Sequence, residues 1–196
     1  TALAASLTEP ASAAKLTDKQ HTRIEVARPA GLPSDAQMEA EGAVIGDIDI
    51  DIRNIFDQND PRERNGLFLL ANRLHIRTKR STVRARLLFA SGDKYKARTL
   101  AETERALRLL SYVYDARVVP VRYVDGKVDV KVITKDVWTL SPGISFGRAG
   151  GSNDTRFNLQ DSNFLGWGKG LQISHGSTVD RTSDTVAWND PNVFGS

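Results

Sequence analysis

An alternation of isoleucine and aspartate predicts the first ordered element of the chain. The stretch AVIGDIDIDIRNIF, which begins at Ala43, spaces its apolar and acidic residues so that they fall on opposite faces of a strand. The apolar face carries Ile48, Ile50 and Ile52, and the acidic face carries Asp47, Asp49 and Asp51. The acidic face is either a cation site or a solvated face that discourages aggregation. The second interpretation is favoured, because nothing nearby supplies the further ligands that calcium needs.

Helical spacing follows this strand. A short helical turn is predicted from three leucines, Leu67, Leu70 and Leu74. A second helix is predicted from a cap at Ser81 or Thr82 through Phe89, with Gly92 placed for a left-handed C-terminal cap.

The strongest helical pattern is TLAETERALRLLSYVYDA, where Thr99 and Glu102 have the spacing of a capping box. Its apolar side chains fall on one face at helical intervals. They are Leu100, Leu107, Leu110 and Tyr114.

A hairpin is predicted after this helix, because Asp125 and Gly126 form a strong two-residue turn signal. A register fixed on that turn places six residues on the core face. The pairs are Tyr123 with Val128, Val121 with Val130, and Val119 with Val132. Arg122 then lies opposite Asp129, a favourable pair across the strands. Pro120 lacks an N–H to donate, so its strand should lie at a sheet edge.

Setting aside the short helical turn, the order strand, helix, helix, strand, strand predicts an α+β layer with two helices on one face of a small sheet. This arrangement resembles a POTRA domain, the periplasmic module of the outer-membrane assembly superfamily that includes BamA-type, TamA-type and two-partner-secretion transporters. The stretches that carry the resemblance are LLFASGDKY from Leu87, LAETERALRLLSYVYDARV from Leu100 and GKVDVKVITKDVWTL from Gly126.

From Trp138 the chain becomes glycine-rich and loses its helical signal. Four antiparallel strands are predicted over 140–148, 155–163, 170–177 and 184–189. The alternating apolar residues are Ile144, Phe146, Phe157, Leu159, Leu171, Ile173, Val186 and Trp188. This alternation suits either a soluble β-sandwich or a membrane barrel with a polar lumen.

The same region resembles the first four strands of the superfamily's C-terminal barrel, the bacterial surface antigen region. The stretches concerned are GGSNDTRFNLQDSNFLGWGKGLQISHG and WNDPNVFGS. We therefore expect a flexible linker over 1–41, a POTRA-like domain over 42–137 and incomplete barrel strands over 138–196. Four strands are too few to close, since spanning barrels have at least about eight. The sequence is thus expected to be part of a longer protein, and its exposed strands to self-associate unless detergent or a partner covers them.

Candidate chemistry changes this picture little. The histidines His21, His75 and His175 lack metal-ligand spacing. There is no cysteine, and no nucleophile elbow, Walker loop or dinucleotide fingerprint is present. We therefore expect no enzyme, cofactor or metal.

A basic stretch, RLHIRTKRSTVRAR, stands out in a chain whose net charge is only +3. Its candidate membrane- or partner-binding residues are Arg77, Lys79, Arg80 and Arg84. A solvated surface, anionic headgroups and a nucleic-acid backbone are the interpretations. Nucleic acid is not expected, because no aromatic residues interleave the charges.

The resemblance implies an outer-membrane protein that inserts or translocates polypeptides, with its POTRA domain in the periplasm. An unfolded or passenger polypeptide would bind by strand addition. The edge predicted to bind it comprises Val118, Val119, Val121 and Tyr123. Aromatic residues expected at the lipid interface are Phe164, Trp167 and Trp188. The alternative is a soluble periplasmic adaptor with no membrane role.

Overall fold

The computed structural model describes residues 23–63, 65–149, 152–178 and 180–191. They form two lobes, which we call the first lobe (23–137) and the second lobe (138–191). The fold is α+β, as predicted, with helices confined to the first lobe and an antiparallel sheet in the second.

The first lobe is built on a three-stranded sheet of order β1-β3-β2. β3 is central, parallel to β1 and antiparallel to β2. The helices and strands are α1 (Asp35–Ala40), β1 (Val44–Arg53), a 3-10 turn (Pro61–Glu63), α2 (Gly66–Leu74), α3 (Arg80–Arg84), α4 (Ala97–Arg108), β2 (Val113–Val124) and β3 (Lys127–Asp136).

A single apolar core lies between this sheet and the helices α3 and α4. Alternate valines of β3 are fully buried, as period-two patterning requires when one face is covered. The core members include Val128, Val130, Val132, Ile45, Ile50, Val83, Leu100 and Leu107.

The segment before β1 is folded over 23–41, so the prediction of a flexible linker over 1–41 is wrong there. Ser34 caps α1 in a capping box with Gln37. Met38 is fully buried in the core. The sequence showed no helical signal here, because Met38 is the one large apolar residue of α1 and no helical period repeats around it. Residues 1–22 lie outside the described residues.

Both predicted helix caps in the first lobe are wrong. α3 begins at Arg80, before the predicted cap, and ends at Arg84 rather than near Phe89. The Thr82 hydroxyl donates to the Gly166 carbonyl of the second lobe instead of capping the helix. α4 begins at Ala97, two residues before the predicted cap at Thr99. The Ala97 amide is instead bonded at 2.8 Å by Glu39, a distant residue of α1.

The hairpin is present, with the predicted positive φ at both turn residues. Tyr123 faces Val128 and Arg122 faces Asp129, as predicted. Beyond them the register is wrong by one residue. A bulge between Pro120 and Arg122 leaves Val121 unpaired. The bulge lies next to Pro120, which has no N–H to donate, and prolines within sheets are found at bulges and edges.

The bulge changes which valines face the core. Val130 lies opposite Pro120, and Val132 lies opposite Val118. Val118 is therefore buried, while Val119 and Val121 are only half-buried. β2 is nevertheless an edge strand of the sheet, as Pro120 predicted.

The second lobe is a meander of four antiparallel strands in the order β4-β5-β6-β7. Their bounds are β4 (Leu140–Ala149), β5 (Ser152–Asp161), β6 (Gly170–Ser177) and β7 (Thr182–Asn189), with a 3-10 turn at Phe164–Gly166. The predicted strands match these within a few residues, and β6 matches at both ends.

Candidate functional site

One face of the second lobe's sheet, which we call the apolar face, carries the large apolar residues together with Asp161, His175 and Asp184, and the other face is polar. The strand register places the apolar residues in adjacent rows, for example Pro142, Leu159, Ile173 and Val186. The opposite face carries small and polar side chains. They include Ser141, Ser145, Asn158, Gln160, Gln172, Ser174, Ser183 and Thr185.

The apolar face is exposed to an extent unusual for a folded chain. Phe146 is 75% exposed, Val186 72% and Ile144 64%, although all three are large and hydrophobic. A monomeric soluble domain rarely leaves a contiguous apolar surface of this kind uncovered. The face is therefore built to meet an apolar environment or partner.

The three aromatic residues predicted for a lipid interface come together at one end of this sheet. Phe164 lies between the two tryptophans, with ring centroids 6.2 Å from Trp167 and 6.1 Å from Trp188, both edge to face. Lys79 Nζ lies 4.8 Å from the Trp167 ring centroid, and Lys169 Nζ lies 5.9 Å from that of Trp188. The cluster lies where β4 begins and β7 ends, next to the first lobe.

The turn that holds two of these rings is also the contact between the lobes. Gly166 and Gly168 have positive φ. The Gly166 carbonyl accepts bonds from the Lys79 amide at 2.9 Å and the Thr82 hydroxyl at 2.8 Å. A Cβ at Gly166 would lie 2.4 Å from the Arg77 carbonyl oxygen, so only glycine fits there. The glycines thus permit docking as well as turning the chain.

A buried hydrogen-bond network continues this contact into the first lobe. Asn163 Nδ2 donates to Thr78 Oγ1 at 2.8 Å. Thr78 in turn donates from its amide and hydroxyl to Asp136, at 2.7 and 2.9 Å. Asp136 is fully buried at the end of β3 and also lies 3.0 Å from His75 Nε2. Hydrogen bonds are stronger in the low-dielectric interior of a protein than in water, so this buried network fixes the two lobes in one arrangement.

This arrangement shows what the sequence interpretation of Asn163 to Gly168 missed. From the sequence, only Phe164 and Trp167 of this segment were assigned a role, at a lipid interface. The additional role depends on Thr78, 85 positions earlier in the chain. Its only local signal was the pair of closely spaced glycines.

The predicted peptide-binding edge on β2 is engaged over its first half. The Val118 amide donates to Glu104 Oε2 at 2.9 Å, and the Ala116 carbonyl accepts from Arg108 Nε at 3.1 Å. The next residue pointing the same way, Pro120, has no N–H. The Val118 amide is therefore occupied by Glu104 in this structure, and Val118 as a peptide-binding residue stays a prediction.

The chain's own N-terminal segment covers the start of the same edge. The Ile24 amide donates to Asp115 at 2.8 Å, and its carbonyl accepts from Arg117 at 3.2 Å. The Ile24 side chain is buried. The part of β2 beyond these contacts is 121–124, which contains Val121 and Tyr123.

Asp129 joins all three strands of the first lobe. Its carboxylate accepts from the Asp47 amide at 2.9 Å and from Arg122 Nε at 2.6 Å. The Asp47 hydrogen bond, reinforced by Arg122, holds the pKa of Asp129 below its usual value. Gly46 makes room for this contact, since a Cβ there would lie 2.3 Å from Asp129 Oδ1.

The predicted basic residues are all exposed. Lys79 contacts Trp167, whereas the Arg84 guanidinium reaches the Ile48 carbonyl of β1 at 3.4 Å. Arg77 lines a cleft with Asp51 and Lys135.

The acidic face of β1 and the histidines have other partners. Asp49 lies 3.6 Å from Lys131, and Asp51 lies 3.6 Å from Arg53. His175 Nδ1 is 2.6 Å from Asp184 on the next strand. Among the described residues no group of three His, Asp or Glu side chains is arranged to hold a metal. His21 lies outside the described residues.

None of the described helices is long and apolar enough to cross a membrane.

Comparison with known proteins gives only distant likenesses. No family model and no curated protein matches the chain. A crystal structure of BamA from Haemophilus ducreyi lacking POTRA domains 1-3 matches with a TM-score of 0.49 and 19% identity. CdiB from Acinetobacter baumannii matches with a TM-score of 0.35 and 15% identity. Each match covers 76% of this chain and 25% of the other, so the chain spans about a quarter of those structures. Likenesses this distant decide neither fold nor function.

Proposed function

We propose that this chain belongs to an outer-membrane protein that inserts or translocates polypeptides. Its second lobe would span the outer membrane, and its first lobe, a POTRA domain, would lie in the periplasm. The observation that carries the proposal is the uncovered apolar face of the second lobe, backed by a polar face across the same strands.

Three properties of the second lobe suit membrane strands. Its strands have eight to ten residues, close to the ~9–11 of a tilted spanning strand. They form an up-and-down meander, the connectivity of membrane barrels. Their apolar face would meet lipid and their polar face the lumen. As an open sheet, the four strands leave the outer edges of β4 and β7 unpaired among the described residues.

The aromatic cluster gives this arrangement a direction. Tryptophan concentrates at membrane interfaces, where its ring lies at the level of the headgroups. Phe164, Trp167 and Trp188 lie at the end of the sheet next to the first lobe. That end would therefore be the periplasmic interface, and the end of the sheet where β4 ends and β5 begins would lie on the opposite side.

Cell fractionation tests the membrane assignment. The full-length protein should be recovered with outer membranes and should stay there after an alkaline wash that strips peripheral proteins. Recovery in the soluble periplasm without detergent would instead support the soluble adaptor and contradict the proposal.

The β2 edge is our proposed receiving site for unfolded polypeptide. Strand addition would begin at 121–124, beyond the contacts of Glu104 and Arg108. It would extend towards Val118 when the Glu104 carboxylate is displaced, because the Val118 amide then becomes a free donor.

Site-specific cross-linking tests this site. A photo-reactive residue placed at Val121 should capture an unfolded client. Glu104→Ala should increase the yield, since it frees the Val118 amide. Glu102→Ala is the matched control, because Glu102 lies on the same helix but pairs with Arg98 in solvent. No capture at Val121 would contradict a receiving site on β2. Equal yields in the two variants, with both still folded, would contradict its extension to Val118.

A further inference from the structure

Helix α2 of the first lobe turns its polar residue inward and its leucines outward. Its one buried residue is Asn72. The Asn72 side chain donates to the Phe56 carbonyl at 2.8 Å and accepts from the Phe56 amide at 3.1 Å. Phe68 stacks on Phe56 with ring centroids 4.1 Å apart. The helix is thus held to the first lobe by the Asn72 side chain and the Phe68 ring. In a helix packed on an apolar core, the leucines would face inward and the polar residues outward.

The outward surface of α2 and the residue after its C-terminal cap is strongly apolar. Exposed fractions run from 43% for Leu69 to 72% for Leu67. The residues of this surface are Leu67, Leu69, Leu70, Leu74 and Ile76. Five large apolar side chains within ten residues make a contiguous patch of the kind that marks an interaction site.

The chain from the start of this surface to residue 92 carries charge of one sign. Residues 65–92 contain six Lys and Arg and no Asp or Glu. The whole chain has a net charge of +3, so this stretch carries +6 and the remainder carries −3. The exposed basic residues are Arg73 on α2, Arg77 and Lys79 between α2 and α3, and Arg80 at the start of α3. Leucines beside exposed basic residues are the pattern of a helix that lies in an anionic membrane surface.

The position of α2 agrees with such a contact. The residue after its last turn, His75, lies 3.0 Å from Asp136 at the end of β3. Lys79 reaches the ring of Trp167. The C-terminal end of α2 is therefore at the junction of the lobes, on the side where the aromatic cluster lies.

We infer that α2 docks onto a lipid surface, with its leucines among the acyl chains and the basic residues at 73–80 against the phosphate groups of anionic phospholipids. An acidic protein could match the charges. Lipid fits the whole surface better, because exposed leucines and exposed arginines adjoin on one short segment. The inference uses the proposed function only for the orientation of the first lobe.

The absence of cysteine allows a direct test in the full-length protein. Leu70→Cys would carry an environment-sensitive fluorophore, and the protein would be reconstituted into vesicles of phosphatidylcholine with or without phosphatidylglycerol. Ala40→Cys is the matched control, an exposed residue at the end of α1 near the opposite end of the sheet. The label at 70 should shift to the blue and be quenched by lipid-borne quenchers in anionic vesicles, while the label at 40 stays in water.

Charge removal sharpens the test. Lys79→Gln and Arg80→Gln should each weaken the lipid-bound state of the label roughly fivefold, and raised salt should do the same. A label at 70 that stays in water on anionic vesicles, or that responds equally on neutral ones, would overturn the inference. Flotation of the same samples separates the two proposals. Protein that floats with an unquenched label contradicts only the docking of α2, whereas protein that does not float contradicts the membrane assignment of the second lobe.

Discussion

The two lobes use the same alternation of apolar and polar residues with opposite results. In the first lobe Val128, Val130 and Val132 are fully buried, because α3 and α4 cover that face of the sheet. In the second lobe Ile144 and Val186 alternate in the same way and are mostly exposed. The pattern identifies a face that avoids water, but what covers that face depends on the neighbouring elements. Helices cover it in one lobe, and we propose that lipid covers it in the other.

The largest expected effect comes from a lysine placed on each face. Val130→Lys should unfold the first lobe, because an unpaired buried charge costs several kcal/mol out of the ~5–15 kcal/mol that stabilise a domain. Ile173→Lys should leave the first lobe folded in detergent. In bilayers it should lower the stability of the inserted sheet by about 2–4 kcal/mol. Circular dichroism and urea unfolding in lipid vesicles measure the two effects.

An equal loss of first-lobe structure in both variants would contradict the comparison, since it would mean that the second lobe's apolar face supports the first lobe's fold.

The next effect concerns the contact that joins the lobes. Gly166→Ala should loosen it, because the new Cβ meets the Arg77 carbonyl and the positive φ alone costs about 1–2 kcal/mol. Hydrogen exchange of the Lys79 and Gly168 amides, which are bonded across or within this turn, should become faster.

Gly143→Ala serves as the control for this change. It lies within β4, and a Cβ there would meet Asn158 at an ordinary 3.8 Å. Exchange that is unaltered in Gly166→Ala would show that the turn at Gly166 does not hold the lobes together.

The smallest effect is a pH dependence confined to the first lobe. The lowered pKa of Asp129 means that the folded state binds its proton less readily than the unfolded state. The stabilisation is therefore complete above the usual pKa of 3.8 and is lost as the pH falls through the lower folded value.

The free energy of unfolding should be higher for the wild type than for Asp129→Asn at neutral pH. Measured against pH, this difference should shrink only in the acid range. An advantage that persists unchanged below that range would assign the difference to packing rather than to ionisation.

The sequence predicted much of the first lobe because its signals are local. Asp125 and Gly126 determine the hairpin turn, and the alternation in β1 determines its buried face. Pro120 correctly predicted an edge strand, but its bulge was missed, since register depends on backbone bonds that a pattern of side chains does not specify.

The remaining errors involve partners distant in the chain. The cap of α4 comes from Glu39, and Ile24 is held by Asp115. The contact between Asn163 and Thr78 is of the same kind. A periodic pattern within a short stretch of sequence cannot reveal contacts between residues this far apart in the chain. The three interface aromatics were chosen by family resemblance, and their mutual packing emerged only from the fold.

The most direct measurement of the central claim compares two neighbouring residues of β4. Ile144 lies on the apolar face and Ser145 on the polar face. Because the chain has no cysteine, Ile144→Cys and Ser145→Cys can each carry a single label in the full-length protein reconstituted into vesicles. We predict that a lipid-borne quencher reaches the label at 144 and a water-soluble quencher the label at 145. Equal access of the water-soluble quencher to both positions would contradict the membrane assignment of the second lobe.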